Sequence, residues 1–428
     1  GDYYRTYSLF SVLGLVTLSM IALRRYLERE SFSLLLLAAW TALLIGVLLL
    51  PFEALRALID PRLRMFVIVY LVLDTAILFA GRLMNKQTVA VYALLAVTTI
   101  ELVHFNRITV ADRQVVQKSE LIEGFAANRE TFQAVADLKR DDPSFHRLTR
   151  LRSGEQGAEI DSNDAMLLNY YSTASYGSFN DFNYIRFLAA IEAIPSYRET
   201  DTRWTVGLAG NFIPSIFAGE KYVLVEDPEP FQRAAQYEWI RDYGKSHLFR
   251  NALSLPFGLG FARYLPEDEF LQLPRDDKEQ VLLATAVLET SSAPIAQGLK
   301  QTSPAELGQE LVASSVPALV QQRRATALYL NSFAQNRITG DLRLDQNGIL
   351  ILQMPFNRGW HAYQDNEPVP VVRADAGLLG IPIKAGEHRI ELRYRNPWLV
   401  PGAIVSGVAF LLLALCLWRK PRLAVSLA

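Results

Sequence analysis

Two carboxylates stand where carboxylates are costly. Asp74 interrupts the apolar stretch 65–81, and Glu101 interrupts 87–105, with His104 three residues further on. An acid in such surroundings is a functional hypothesis by default. Its natural work is general-base catalysis, drawing the proton from an acceptor hydroxyl. The competing reading is a carboxyl that hydrogen-bonds to a neighbouring helix and serves packing alone. At 1.5 Å per residue their depths differ by ~10–15 Å, which argues against one catalytic pair. Arg107 and Arg113 follow on the same side. Guanidinium groups grip phosphate in a bidentate way, so the two suit a lipid phosphate, or else plain interfacial anchoring. Aromatic residues form a second group of candidates. Tyr170, Tyr171, Tyr176, Phe179, Phe182 and Tyr184 crowd one stretch, and Trp360 and Tyr363 another. Such rings stack on sugar faces, though the same rings also build cores.

Several chemistries are excluded. One cysteine, Cys416, permits neither an intrachain disulfide nor a cysteine zinc cluster. Five scattered histidines make no metal tract. Lys and Arg number 43 against 44 Asp and Glu, so no basic excess favours nucleic acid. Walker A, GxGxxG, GxSxG and HExxH patterns are absent, and no cofactor is identified. The acidic runs at 267–269 and 275–278 read as solvated helix starts.

The elements that must carry these residues are mostly apolar. Hydrophobic residues make up 50% of the 428 and charged residues 20%. The stretches 6–23, 31–52 and 396–418 carry no charge, and 65–81 and 87–105 carry little. A bilayer core needs about 20 such residues in a helix, which 31–52 and 396–418 meet outright, while the other three rely on their flanks. Arg24, Arg25, Arg29, Arg82, Lys86, Arg419, Lys420 and Arg422 fall on one side of alternating spans. Arg5, Arg56, Arg62 and Arg64 fall on the other. Eight against four make the first side cytoplasmic. The expectation is a polytopic α-helical membrane protein, in contact with membrane lipid. Gly1 would start outside with no signal peptide, which points to the C-terminal part of a longer protein whose N-terminal membrane half is missing.

Four regions follow. Residues 1–105 are four transmembrane helices. Residues 106–335 are an extracytoplasmic mixed α/β domain, opening with a stalk at 109–138 that Pro143 closes. A capping box, Ser303 to Glu306 with Pro304 between, starts a helix. Residues 336–396 are a small antiparallel β-sandwich. Within it Asn347-Gly348 reads as a hairpin turn between alternating runs, and Ile390, Leu392 and Tyr394 face a core. Residues 397–428 are a last transmembrane helix and a basic cytoplasmic tail.

The β-region resembles the bacterial YfhO membrane protein family. The residues that carry the likeness are Gly359-Trp360 with Ala362-Tyr363, Val371-Val372, Gly380-Ile381 and Ala385-Gly386-Glu387-His388. Upstream, the Tyr- and Asn-rich stretch 169–187 and the run Leu248 to Pro256 are also similar, so the resemblance covers roughly residues 65–420. It implies a location in a bacterial cytoplasmic membrane and a glycosyltransferase of the GT-C type, which moves a sugar from a polyprenyl-phosphate donor to an extracytoplasmic polymer or lipid acceptor. In such enzymes the catalytic carboxylate lies on the first outer loop, upstream of this chain. The alternatives are a non-catalytic membrane-anchored module that binds a glycan or lipid-linked polymer and, third, a flippase or transporter for such a lipid.

Overall fold

The structure is a computed structural model. It describes residues 3–29, 33–49, 61–111, 119, 128–154, 157–159, 163–177, 179–194, 199–208, 210–289 and 298–418. The chain folds as two compact units, Gly1–Glu120 and Leu121–Ala428.

In the first unit the apolar stretches form the helices Tyr3–Leu27, Leu34–Leu49, Pro61–Leu83 and Gln87–Ala111. Three are long and apolar enough to cross a membrane: Phe10–Leu27, Pro61–Leu83 and Gln87–Ile108. Flanking residues extend these three beyond their apolar stretches. Leu34–Leu49 is a shorter apolar helix of 16 residues, about 24 Å at 1.5 Å per residue. Large apolar side chains such as Phe10, Leu35 and Tyr92 stand exposed, as lipid-facing surfaces require. Close contacts lock the helices together. Tyr26 Oη donates to Leu78 O (2.8 Å), and the Thr41 and Thr75 hydroxyls share a 2.9 Å hydrogen bond. A Cβ on Gly81 would lie 2.2 Å from Ala90 Cβ, so glycine permits the approach.

The second unit is β-rich. One five-stranded sheet has the order 157–159, 147–154, 220–225, 246–251, 237–243. Only its Arg147–Gly154 and Glu220–Val225 strands run parallel. A central seven-stranded sheet has the order 300–301, 263–266, 286–288, 372–374, 378–383, 348–355, 258–261. A terminal five-stranded sheet, antiparallel throughout, has the order 329–334, 337–344, 386–394, 360–364, 367–369.

The strand Gly348–Pro355 shows why a continuous apolar run is needed. Ile349 and Ile351 join the cluster beneath the helices Phe182–Ala190, Phe212–Phe217 and Arg275–Ala284. Leu350 and Leu352 point the other way, into a cluster with Ile338, Leu342, Ala362, Ile390 and Leu392 of the terminal sheet. Both faces are covered, so alternation disappears.

Two sequence readings change here. Asn347-Gly348 is not a hairpin turn. The strands Arg337–Leu344 and Gly348–Pro355 never pair, and the chain crosses between them from the terminal sheet to the central one. Strands on either side of residue 335 also share sheets: Tyr329–Ala334 pairs with Arg337–Leu344, and Gly258–Phe261 with Gly348–Pro355.

The capping box stands as expected and opens the helix Pro304–Ala313. Of the stalk, the helix Arg129–Asp141 is seen; residues 112–118 and 120–127 lie outside the described residues. The last helix, Leu399–Trp418, begins after Asn396 Oδ1 accepts from Trp398 N (2.9 Å).

Candidate functional site

The helices Pro61–Leu83 and Gln87–Ala111 form an antiparallel pair joined by the short turn at 84–86. Tyr70 Oη and His104 Nδ1 lie 3.0 Å apart across it, and the Phe66 ring packs edge-on against His104 at 4.4 Å. Four residues beyond Tyr70 is Asp74, and three before His104 is Glu101. Counted from the close contact of Gly81 with Ala90, Asp74 stands seven residues along one helix and Glu101 eleven along the other, so their levels differ by about 6 Å. This is less than the ~10–15 Å expected from sequence, but the two acids still stand at different depths. Asp74 Oδ1 is buried with no hydrogen-bond partner. Asp74, Glu101 and the hydrogen-bonded imidazole of His104 stand in one helix pair, each a group of a kind that holds a proton. Arg107 is exposed on the same helix as Glu101, and Arg113 lies outside the described residues.

The second site is a cleft of about 380 Å3 in the β-rich unit. Its floor comes from the end of the helix Arg129–Asp141 and the segment 142–146. One wall carries Tyr170 and Tyr171, and the other Leu330 to Phe333 of the terminal sheet's edge strand. A neighbouring hollow of about 350 Å3 shares Ser144, Phe145 and Leu330 with it, and adds Lys221, Phe257 and Arg324. The two form one groove. Aromatic rings line it: Phe145 lies 4.9 Å from Tyr171, 4.5 Å from Phe333 and 5.0 Å from Phe257.

Asp142 organises the polar side of the cleft. Pro143 ends the helix there, and the freed carboxylate accepts from Lys221 Nζ (2.6 Å), Tyr222 Oη (2.9 Å) and Ser144 Oγ (2.5 Å). Burial alone would raise its pKa, but these donors together outweigh burial and hold it at about 2. Such a carboxylate is saturated and a poor base; its effect is to fix Lys221 at the groove. His146 is held below its usual pKa, chiefly by burial and against the pull of Asp142. Its Nδ1 lies 2.9 Å from Ser144 O, which can only accept, so Nδ1 carries the hydrogen and Nε2 the lone pair. Among the described residues no three His, Cys, Asp or Glu side chains gather closely enough to hold a metal.

The aromatic stretch is divided by the fold. Tyr170 and Tyr171 line the cleft. The Tyr184 hydroxyl donates to Thr173 O (2.5 Å) instead. Tyr176 lies against Trp204, ring centres 4.2 Å apart. Trp360 and Tyr363 do not form one platform, because residues three apart on a strand face opposite ways. Trp360 packs toward the inter-sheet cluster and Tyr394, while Arg393 covers the Tyr363 ring at 4.7 Å.

The family model described as "Bacterial membrane protein YfhO" matches residues 3–311 and 306–406. The chain belongs to the YfhO family of bacterial membrane proteins. It is also similar to "Uncharacterized protein YfhO" of Bacillus subtilis (strain 168), 29% identical over 103 residues. That stretch is 24% of this chain and 12% of the relative. No solved structure matches. Sequence reading of this YfhO-family chain missed Asp142, Phe145, His146, Lys221 and Phe333. The signal was present in Asp142-Pro143-Ser144-Phe145-His146, where a helix stop is followed at once by acid, hydroxyl, ring and imidazole. The partners Lys221 and Phe333 are too distant in sequence to be read with it.

Proposed function

We propose that this chain serves sugar transfer at a bacterial membrane, of the GT-C type, from a polyprenyl-phosphate donor to a polymer or lipid acceptor outside the cytoplasm. The groove is the acceptor site. One observation carries this reading: a wall of Phe145, Tyr171, Phe333 and Phe257 stands beside Lys139, Lys221 and Arg324. Rings take the apolar faces of sugars, and fixed cations take phosphate along a polymer. The saturated Asp142 gives the groove a binding role rather than a basic one. Proton handling belongs to Asp74, Glu101 and His104 in the helices. The excess of basic residues in the loops opposite supports placing the β-rich unit outside.

The test is transfer by the intact protein in its own membranes, titrated with acceptor. Tyr171→Ala and Phe333→Ala each remove a stacking partner of about 0.5–1.5 kcal/mol. The acceptor KM should rise several-fold to about tenfold, with kcat kept. Native KM in both variants would sink the acceptor assignment. Acceptor binding by a native protein that transfers no sugar would leave the binding-module reading in its place.

A further inference from the structure

The β-rich unit leaves one apolar face uncovered. Fifteen large apolar side chains are exposed among the described residues of 128–396, and eight of them, Tyr171 of the groove aside, fall between 166 and 212. Scattered single residues of this kind are ordinary; a concentration marks a contact surface. Met166, Phe179 and Phe182 are 83%, 79% and 65% exposed, and Trp204 is 59% exposed.

Hydrogen bonds make these residues one piece of surface. The short strands Ser175–Tyr176 and Trp204–Thr205 pair, which sets the Tyr176 ring on Trp204. Asn180 Nδ2 donates to Thr202 O (2.8 Å) and so clamps the loop that carries Phe179 and Phe182 beside Trp204. Asn163 Oδ1 accepts from Tyr176 N (3.1 Å), which ties in the helix Asp164–Leu168 with Met166. The rings are therefore fixed outward on a built scaffold.

The same surface is bonded to the place where the chain enters its last apolar helix. Asn183, next to Phe182, donates from Nδ2 to Phe356 O (2.7 Å). Three residues on, Gly359 O accepts from Arg395 N (2.8 Å). Arg395 precedes the helix Leu399–Trp418 by four residues. The face is thus joined to the first helical turn through two hydrogen bonds and two chain segments of only three and four residues. Trp398, 77% exposed, stands at that turn.

We propose that the Met166–Phe179–Trp204 face is a membrane foot, bedded in the headgroup boundary of the bilayer that the helix Leu399–Trp418 enters. Trp and Tyr are the residues of that boundary, since one end of each ring is apolar and the other polar. With the anchor helix, the foot gives the β-rich unit a second point of attachment. It thereby fixes the tilt of the groove to the membrane. The inference stands apart from the sugar-transfer reading and survives its failure.

The experiment uses the full chain in lipid nanodiscs, with Cys416→Ser as background and one new cysteine carrying an NBD fluorophore. Phe179→Cys reports on the foot and Met166→Cys repeats the measurement, both at exposed positions that tolerate change. Asp345→Cys, at a side chain 95% exposed, is the aqueous reference. Brominated acyl chains should quench NBD at 179 and 166 at least twofold more than at 345, and iodide should quench them less. Equal behaviour at all three positions overturns the foot. So does shielding of 179 and 166 from both quenchers, because protein or glycan would then cover the face.

Discussion

Two acids of the β-rich unit lie on opposite sides of their ordinary range, and the difference is in their donors. Asp142 is ringed by three and held at about 2. Asp375 has one: its Oδ1 accepts from Val287 N (2.7 Å), and its Oδ2 is buried without a partner. Burial dominates, the Val287 amide opposes it, Glu267 adds to it, and the carboxyl rises from 3.8 to about 7. The folded state thus holds a proton that the unfolded chain gives up near 3.8. This contribution to stability is fully present below that value and is lost as pH rises through 7. A gap of this size is worth about 4 kcal/mol at most. Asp375→Asn keeps the acceptor for Val287, and asparagine suits the left-handed backbone there (φ 45°). The variant should flatten the stability curve between about pH 4 and 7 and unfold at a higher temperature than the native chain at pH 8. Near-UV circular dichroism melts at pH 5 and pH 8 measure this. A native slope retained in the variant would acquit Asp375.

At the scale of elements, the alternation that predicts strands is sound, while partner choice is hidden. Residues 338–344 and 349–354 both become strands, and Ile390 and Leu392 are buried as their spacing requires. Asn347-Gly348 misleads because it satisfies a different need. A Cβ at 348 would meet Phe261 O at 2.7 Å, so glycine serves close strand approach rather than a turn. A two-residue hairpin turn with left-handed backbone, Asp365-Asn366 with φ of 51° and 70°, lies instead between the short strands Trp360–Gln364 and Glu367–Val369. In the membrane helices the two acids were legible from composition. Their offset of about 6 Å was not, because it depends on the register of the helix pair. Glycines separate these roles by experiment. Gly377 sits under the helix Phe182–Ala190, where a Cβ would lie 2.0 Å from Asn183 O. Gly377→Ala should destabilise by about 1–3 kcal/mol through forced backbone movement. Gly308, inside the helix Pro304–Ala313 with open space around it, should respond oppositely. Gly308→Ala should stabilise by about 0.5–1 kcal/mol, through the entropy lost by the unfolded chain. Denaturant midpoints of the two variants check the pair, and a fall in both would remove crowding as the distinguishing cause.

At the scale of the β-rich unit, the groove follows a joint. The first five-stranded sheet and the helix Arg129–Asp141 have their own cluster, built from Ala134, Leu138, Leu148, Tyr222 and Leu248. The central and terminal sheets have another. Arg147 crosses between them from the start of the first sheet. It donates from Nη2 to Gln353 O (2.6 Å) on the central sheet and from Nη1 to Ala218 O. Its charge also faces the buried Glu220. Arg147→Met keeps much of the apolar stem and removes every one of these bonds. Each buried carbonyl left unpaired costs about 1–3 kcal/mol. The loss falls on the joint rather than on either cluster, so the effect should be a change of cooperativity as well as of stability. Calorimetry should show the single native transition of the unit broadening or splitting. Limited proteolysis should find new cuts near Ser144 and Pro256, where the joint opens into the groove. If the melt shifts down while remaining one sharp transition, the two clusters are coupled by their apolar contacts alone. Arg147 would then contribute stability without holding the groove's two walls in register.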